Sequence, residues 1–145
     1  MKIRTITLSI AAISITTLSL AACTSNPPPL PAPSVSALQP AAPVKVSTQE
    51  WVTVALSPGT VIIDVRTPAE FASGHVQGAL NIPVEFADFQ ERITQLDPNT
   101  TFALYCRTGS RSAEAARLMN NFGYVHVYDL DGGFSDLENT GIPVS

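Results

Sequence analysis

The chain has little cysteine, little histidine and little positive charge. Two of its 145 residues are Cys and two are His, and no Cys/His spacing suggests a metal site. Lys and Arg number eight against twelve Asp and Glu, for a net charge of −4. Lys2 and Arg4 stand at the very start, so beyond them six basic residues face all twelve acidic ones. That balance argues against nucleic acid as a partner, and it makes the position of each remaining cation informative.

The cations at the start open a segment of their own. Residues 1–22 read MKIRTITLSIAAISITTLSLAA: a short cationic stretch, an apolar run from Ile6 to Ala22, and small residues directly before Cys23. This is the layout of a secretory signal peptide. As a membrane-spanning helix the run is short, it is broken by Ser and Thr, and it lacks a cationic stop on its far side. Leu20-Ala21-Ala22-Cys23 resembles the lipobox of bacterial lipoproteins. The resemblance implies that Cys23 is lipidated, becomes the mature N-terminus and anchors the chain to a membrane through its acyl chains. Thr24, where an Asp would retain the protein, implies an outer membrane facing the periplasm in a Gram-negative host.

Seven of the twelve prolines then fall between Pro27 and Pro43, with Ala and Ser among them. Such a stretch cannot bury a core and favours extended polyproline II, so residues 23–43 read as a disordered, semi-rigid tether. Residues 44–145 have the size of one small domain.

Within that domain, punctuation and periodicity alternate. Ser47-Thr-Gln-Glu50 is a capping box opening a helix with Trp51, Val54 and Ala55, and Ser57-Pro-Gly59 ends it. Val61-Ile62-Ile63 is a continuous β-branched run, the mark of a strand covered on both faces, and it leads into Asp64-Val65-Arg66. Thr67-Pro-Ala-Glu70 is a second capping box, with Pro at the first helical position. Residues 74–78 form a turn and residues 79–82 a short strand. Phe86, Phe89, Ile93 and Leu96 fall at helical spacing. Residues 101–105 form a second buried strand, which delivers Cys106. Residues 110–122 form a helix with Ala113, Ala116, Leu118 and Met119 as its apolar positions, closed by Gly123. Residues 125–128 alternate as a strand, on which His126 faces solvent. Trp51, Phe71, Phe86, Phe89 and Phe122 are the expected aromatic core.

Strands alternating with helices predict an α/β domain with a mostly parallel sheet and helices on both faces. Sites in such sheets lie at the carboxyl ends of strands. Three polar clusters stand there: Asp64 to Arg66, Cys106 to Ser112, and Asp129 to Gly133.

The middle cluster carries the chemistry. A short loop between a buried strand and a helix turns several backbone N–H groups toward one point, at the positive end of the helix dipole. Gly109 permits the turn, Thr108, Ser110 and Ser112 add hydroxyls, and Arg107 and Arg111 add charge. Each of these stabilises a thiolate on Cys106 and suits an anionic ligand. The alternative is a buried structural cysteine, but its neighbours here are polar.

These residues carry a resemblance. Val61 to Arg66, Glu70-Phe71, Gly74-His75-Val-Gln-Gly78-Ala-Leu-Asn81-Ile-Pro83, Tyr105-Cys-Arg-Thr-Gly-Ser-Arg-Ser112 and Asp131-Gly-Gly133 resemble, in order, the motifs of single-domain rhodaneses. The resemblance implies a rhodanese-like five-stranded sheet and a thiosulfate sulfurtransferase. Cys106 would take sulfane sulfur as a persulfide and hand it to cyanide, a small thiol or a protein thiol, with no cofactor. Residues 107–112 would bind the anionic donor, Arg107 and Arg111 by their charge. Asp64, Arg66 and His75 would be supporting scaffold. Cys-x4-Arg is the loop length that goes with sulfur transfer in this family, whereas phosphatases of the same fold have one residue more. A phosphatase or arsenate reductase is one alternative, and a membrane-tethered binding or sensing module without turnover is another. Where many members follow the double glycine with several aromatics, this chain has Phe134-Ser-Asp-Leu137.

Overall fold

The computed structural model describes residues 42–145. The expected signal peptide, Cys23 and nearly all of the tether lie outside the described residues.

The elements follow in the order β1 (Val44–Val46), α1 (Thr48–Ala55), β2 (Val61–Asp64), α2 (Pro68–Ala72), β3 (Leu80–Asn81), α3 (Phe89–Ile93), β4 (Phe102–Tyr105), α4 (Ser110–Asn121), β5 (Val127–Leu130) and α5 (Phe134–Glu138). Five strands form one sheet in the order β1-β5-β4-β2-β3, and every pairing in it is parallel. The sheet is therefore wholly parallel rather than mostly so.

Both faces are covered, which is why β2 and β4 read as unbroken apolar runs. Ile63, Val65, Phe102, Leu104 and Val127 pack on one face against Phe89 and Ile93 of α3 and Ala115, Ala116 and Met119 of α4. Ile62, Ala103, Tyr105 and Leu130 pack on the other against Trp51 and Ala55 of α1 and Leu137 of α5. The Trp51 indole N–H donates to the Leu104 carbonyl at 2.8 Å, tying α1 to the strand that precedes Cys106. Both expected capping boxes form, Ser47 with Glu50 and Thr67 with Glu70.

Several expectations shift. Strand β1, three residues directly after Pro43, had no periodicity to reveal it and pairs with β5 at the sheet edge. The helix expected around Phe86 is confined to Phe89–Ile93, and Phe86 is 46% exposed on the turn before it. Phe122 is exposed as well and Phe71 is half-buried. The aromatic that fills the core there is Tyr124, which packs edge-on against Phe102 and donates its hydroxyl to the Ile93 and Leu96 carbonyls. On α4 the buried positions are Ser112, Ala115, Ala116 and Met119, while Ala113 and Leu118 lie at the margins. The last strand runs two residues later than its alternation suggested. His126 precedes it half-buried, with Nδ1 enclosed and without a partner among the described residues, rather than facing solvent.

Candidate active site

Strand β4 ends at Tyr105 and the next residue, Cys106, is fully buried. The chain then turns through residues 107–109 into α4. Gly109 is the N-cap, with a left-handed φ of +88°. A Cβ there would be strained and would sit 3.1 Å from the Gly132 carbonyl oxygen, so the turn requires glycine on both counts.

The turn aims the loop at the sulfur. The Gly109 N–H donates to Cys106 Sγ at 3.0 Å. Burial on its own would push the thiol pKa up. That effect is outweighed by the Ser112 hydroxyl and by the N–H groups of Ser112, Thr108 and Gly109, which together bring it below the ordinary thiol value. The twelve-residue helix α4 begins at this point and adds the positive end of its dipole. Cys106 is the one free cysteine among the described residues.

The two loop arginines occupy different settings. Arg107 is exposed at the mouth. Arg111 turns instead to carboxylates: Nη1 and Nη2 each donate to Glu70 at 2.8 Å, and Glu85 lies 3.5 Å away. Its charge is therefore largely answered within the protein, where the sequence reading had it facing the anion. Thr108 lines the mouth, Ser110 is exposed on the first turn of α4, and Ser112 is buried beneath the loop with its hydroxyl 3.2 Å from the Gly109 carbonyl.

Glu70 thus acts twice, as the cap of α2 and as the clamp on Arg111. Hydrogen bonds from Arg111, assisted by Thr67 and opposed by partial burial, lower its carboxyl from 4.5 to about 2. A carboxyl whose folded pKa is depressed stabilises the fold above its unfolded pKa, and that stabilisation fades as pH falls toward the folded value. Glu70→Gln should therefore lower the melting temperature at about pH 7, with the gap to the wild type narrowing below about pH 4. Thermal denaturation at the two pH values checks this, and a gap that stays constant would contradict it.

Asp64 and Arg66 form a buried pair. The Arg66 Nη2 is 2.6 Å from Asp64 Oδ2, Nε reaches both carboxylate oxygens, and Nη2 also donates to the Gly74 carbonyl at 2.7 Å. Burial disfavours the Arg66 charge, but the bonds to Asp64 outweigh it and hold the guanidinium more firmly protonated than usual. Asn81 braces the same strand end by donating to the Asp64 and Arg66 carbonyls. His75 stacks on Phe71, pairs its Nδ1 with the Phe71 carbonyl at 3.0 Å and has its Nε2 3.2 Å from the Ser145 hydroxyl.

Phe134 closes the rim. Its N–H donates to the Cys106 carbonyl at 3.0 Å, its ring stacks on Tyr105, and the Arg66 guanidinium lies 4.1 Å over its face. In front of the loop opens a cavity of about 470 Å³ lined by Arg66, Glu70, Arg107, Thr108, Phe134 and Glu138. The clamp of Glu70 on Arg111 and the closure by Phe134 both escaped sequence reasoning, because each joins residues far apart in the chain. Among the described residues no cluster of His, Cys, Asp or Glu could hold a metal ion.

Comparison with known proteins agrees with this geometry. Residues 48–140 match the family model described as a rhodanese-like domain. The chain is 40% identical over 77 residues to the thiosulfate sulfurtransferase PspE of Escherichia coli, covering 52% of this chain and 71% of that protein. It is 32% identical over 84 residues to a sulfurtransferase of Allochromatium vinosum, covering 58% of this chain and 77% of the relative. Among solved structures, a rhodanese-related protein from Thermoplasma volcanium superposes with a TM-score of 0.60 at 25% identity, over 70% of this chain and 96% of the other. With the sheet order, the cysteine loop and the double glycine all in place, the chain belongs to the rhodanese-like domain family.

Proposed function

We propose that this chain is a sulfurtransferase that carries sulfane sulfur as a persulfide on Cys106. The observation that supports it best is the sulfur's setting: the Gly109 N–H donates to Cys106 Sγ at 3.0 Å where α4 begins, and the loop's N–H groups and the Ser112 hydroxyl lower the thiol pKa against the effect of burial. The thiolate attacks the outer sulfur of thiosulfate or a related donor. A sulfur–sulfur bond forms at Cys106 as the donor's own breaks, and sulfite leaves with the electron pair. The loop N–H groups hold the anionic persulfide as they held the thiolate. Cyanide or a thiol, free or on a protein, then takes the outer sulfur and restores the thiolate. No cofactor enters the cycle.

Arg107, exposed at the mouth, draws the donor anion in, and Thr108, Gly109, Ser110 and Ser112 supply the cradle's donors. Arg111 acts mainly by fixing the loop against Glu70 and Glu85. The relatives named as sulfurtransferases support the same chemistry. The signal-like segment and Cys23 support a lipid-anchored place at the outer membrane, facing the periplasm.

Thiocyanate formation by the full chain from thiosulfate and cyanide tests the reaction. Saturable turnover with double-displacement kinetics is the expected result. Absence of turnover, together with absence of any sulfur adduct on Cys106, would overturn the reading in favour of a module that binds without reacting.

A further inference from the structure

Four charged side chains line the cavity in front of the cysteine loop, and two of them are already committed. Arg66 is held by Asp64, and Glu70 by Arg111. The other two are Arg107 and Glu138, both exposed. Neither has a hydrogen bond or an ion pair among the described residues, and they do not pair with each other. The mouth therefore presents a free cation and a free carboxylate, held apart.

The backbone fixes both charges relative to the sulfur. Arg107 directly follows Cys106. Glu138 is placed through α5, whose first residue, Phe134, donates its N–H to the Cys106 carbonyl at 3.0 Å. Four residues on, Glu138 shares the Phe134 face of that helix, about 6 Å further along its axis. Leu137, fully buried, anchors the helix to the sheet. Nothing in α5 itself asks for this carboxylate. It is the last residue of the helix, where the dipole is negative and an acid is unfavourable.

We infer that Arg107 and Glu138 select the sulfur acceptor as a small zwitterionic thiol, whose carboxylate meets Arg107 and whose ammonium meets Glu138. A mouth serving the donor anion alone has no use for Glu138, which repels it. An acceptor bearing both charges is held at two points in front of the loop. Its sulfur bonds to the outer sulfur of the persulfide as that sulfur's bond to Cys106 breaks. The electron pair returns to Cys106 as the thiolate, and the acceptor's thiol proton leaves with the newly formed persulfide. Arg107 thus serves both halves of the cycle, holding the donor anion first and the acceptor carboxylate once sulfite has left.

The inference rests on Cys106 carrying sulfur as proposed above, and its test separates the two. Sulfite release from thiosulfate by the full chain is followed with cysteamine, 3-mercaptopropionate, L-cysteine and 2-mercaptoethanol as acceptors, and with cyanide. In double-displacement kinetics kcat/KM for the acceptor does not depend on the donor, so it reads the second half of the cycle alone. Comparing each thiol between variant and wild type cancels its own reactivity. Glu138→Gln should lower kcat/KM for cysteamine relative to 2-mercaptoethanol by about threefold, and Glu138→Lys by more, while 3-mercaptopropionate gains. Arg107→Gln should act in the opposite sense on those two thiols, and L-cysteine should lose in either variant. Ratios that do not move, or equal losses for every thiol, would overturn the inference and leave a sulfurtransferase with an unselective mouth. Absence of turnover with cyanide as well would overturn the sulfurtransferase reading, and this inference with it.

Discussion

Cys106→Ser is expected to reduce thiocyanate formation by at least roughly a thousandfold, in effect to the rate without protein. The size of the loss follows from the chemistry. The proposed reaction runs through a covalent sulfur–sulfur bond on this side chain, and at neutral pH a hydroxyl is neither ionised nor able to carry sulfane sulfur. Every other contribution, from Arg107 to the loop N–H groups, positions or stabilises what Cys106 binds and cannot replace it. The fold should barely notice. Oxygen is smaller than sulfur, and the Gly109 N–H can donate to it as it does to Sγ. A melting temperature close to the wild type's, measured beside the activity, separates a missing nucleophile from a lost structure.

Gly133→Ala should have the second largest effect, though it touches neither substrate nor sulfur. Gly133 lies where α5 begins, with an extended φ of −130° that any residue could adopt, so its need is for space. A Cβ there would fall 2.0 Å from the Arg107 carbonyl oxygen and 2.8 Å from its carbon. Backbone on both sides leaves nothing flexible to yield, so the cysteine loop and the start of α5 must separate. The hydrogen bond from the Phe134 N–H to the Cys106 carbonyl joins the same two segments and would stretch with them. Forced overpacking of this kind destabilises by about 1–3 kcal/mol. A loop displaced by about an ångström should lose roughly a hundredfold in turnover. Both are readable, by thermal denaturation and by the thiosulfate–cyanide assay. A variant with normal stability and normal turnover would show that the loop and the double glycine are not in contact.

The site was legible where its residues are contiguous. Cys106 to Ser112 fall on one turn, so the strand before them, the glycine among them and the helix after them announce both the geometry and the anion cradle. The two capping boxes were legible for the same reason, since each is complete within four residues. What escaped was long-range. The Glu70–Arg111 clamp joins a helix cap to the loop, and nothing near Glu70 distinguishes it from an ordinary capping carboxylate. Asp129 reads as one more acidic residue near a strand end until the sheet buries it beside Lys45. Strand β1 is three residues of mixed character whose partner, β5, lies at the other end of the domain. Phe86 and Phe122 have helical spacing, but spacing says nothing about whether a neighbouring element covers them. Tyr124 took the interior place because its hydroxyl reaches two carbonyls at the end of α3.

The fold ties these parts to one purpose. Parallel strands covered on both faces hold β2 and β4 rigid, and their carboxyl ends bring the Asp64–Arg66 pair and the Cys106 loop side by side. Phe134 and the Arg66 guanidinium then close the rim over a sulfur that has no exposure of its own.

The most direct test of the account is the mass of the intact chain after treatment with thiosulfate in the absence of any acceptor. The account predicts a gain of one sulfur atom, mapped to Cys106, reversed by cyanide and absent from Cys106→Ser. An unchanged mass, or a sulfur that maps elsewhere, would contradict the claim that this thiol carries the sulfur.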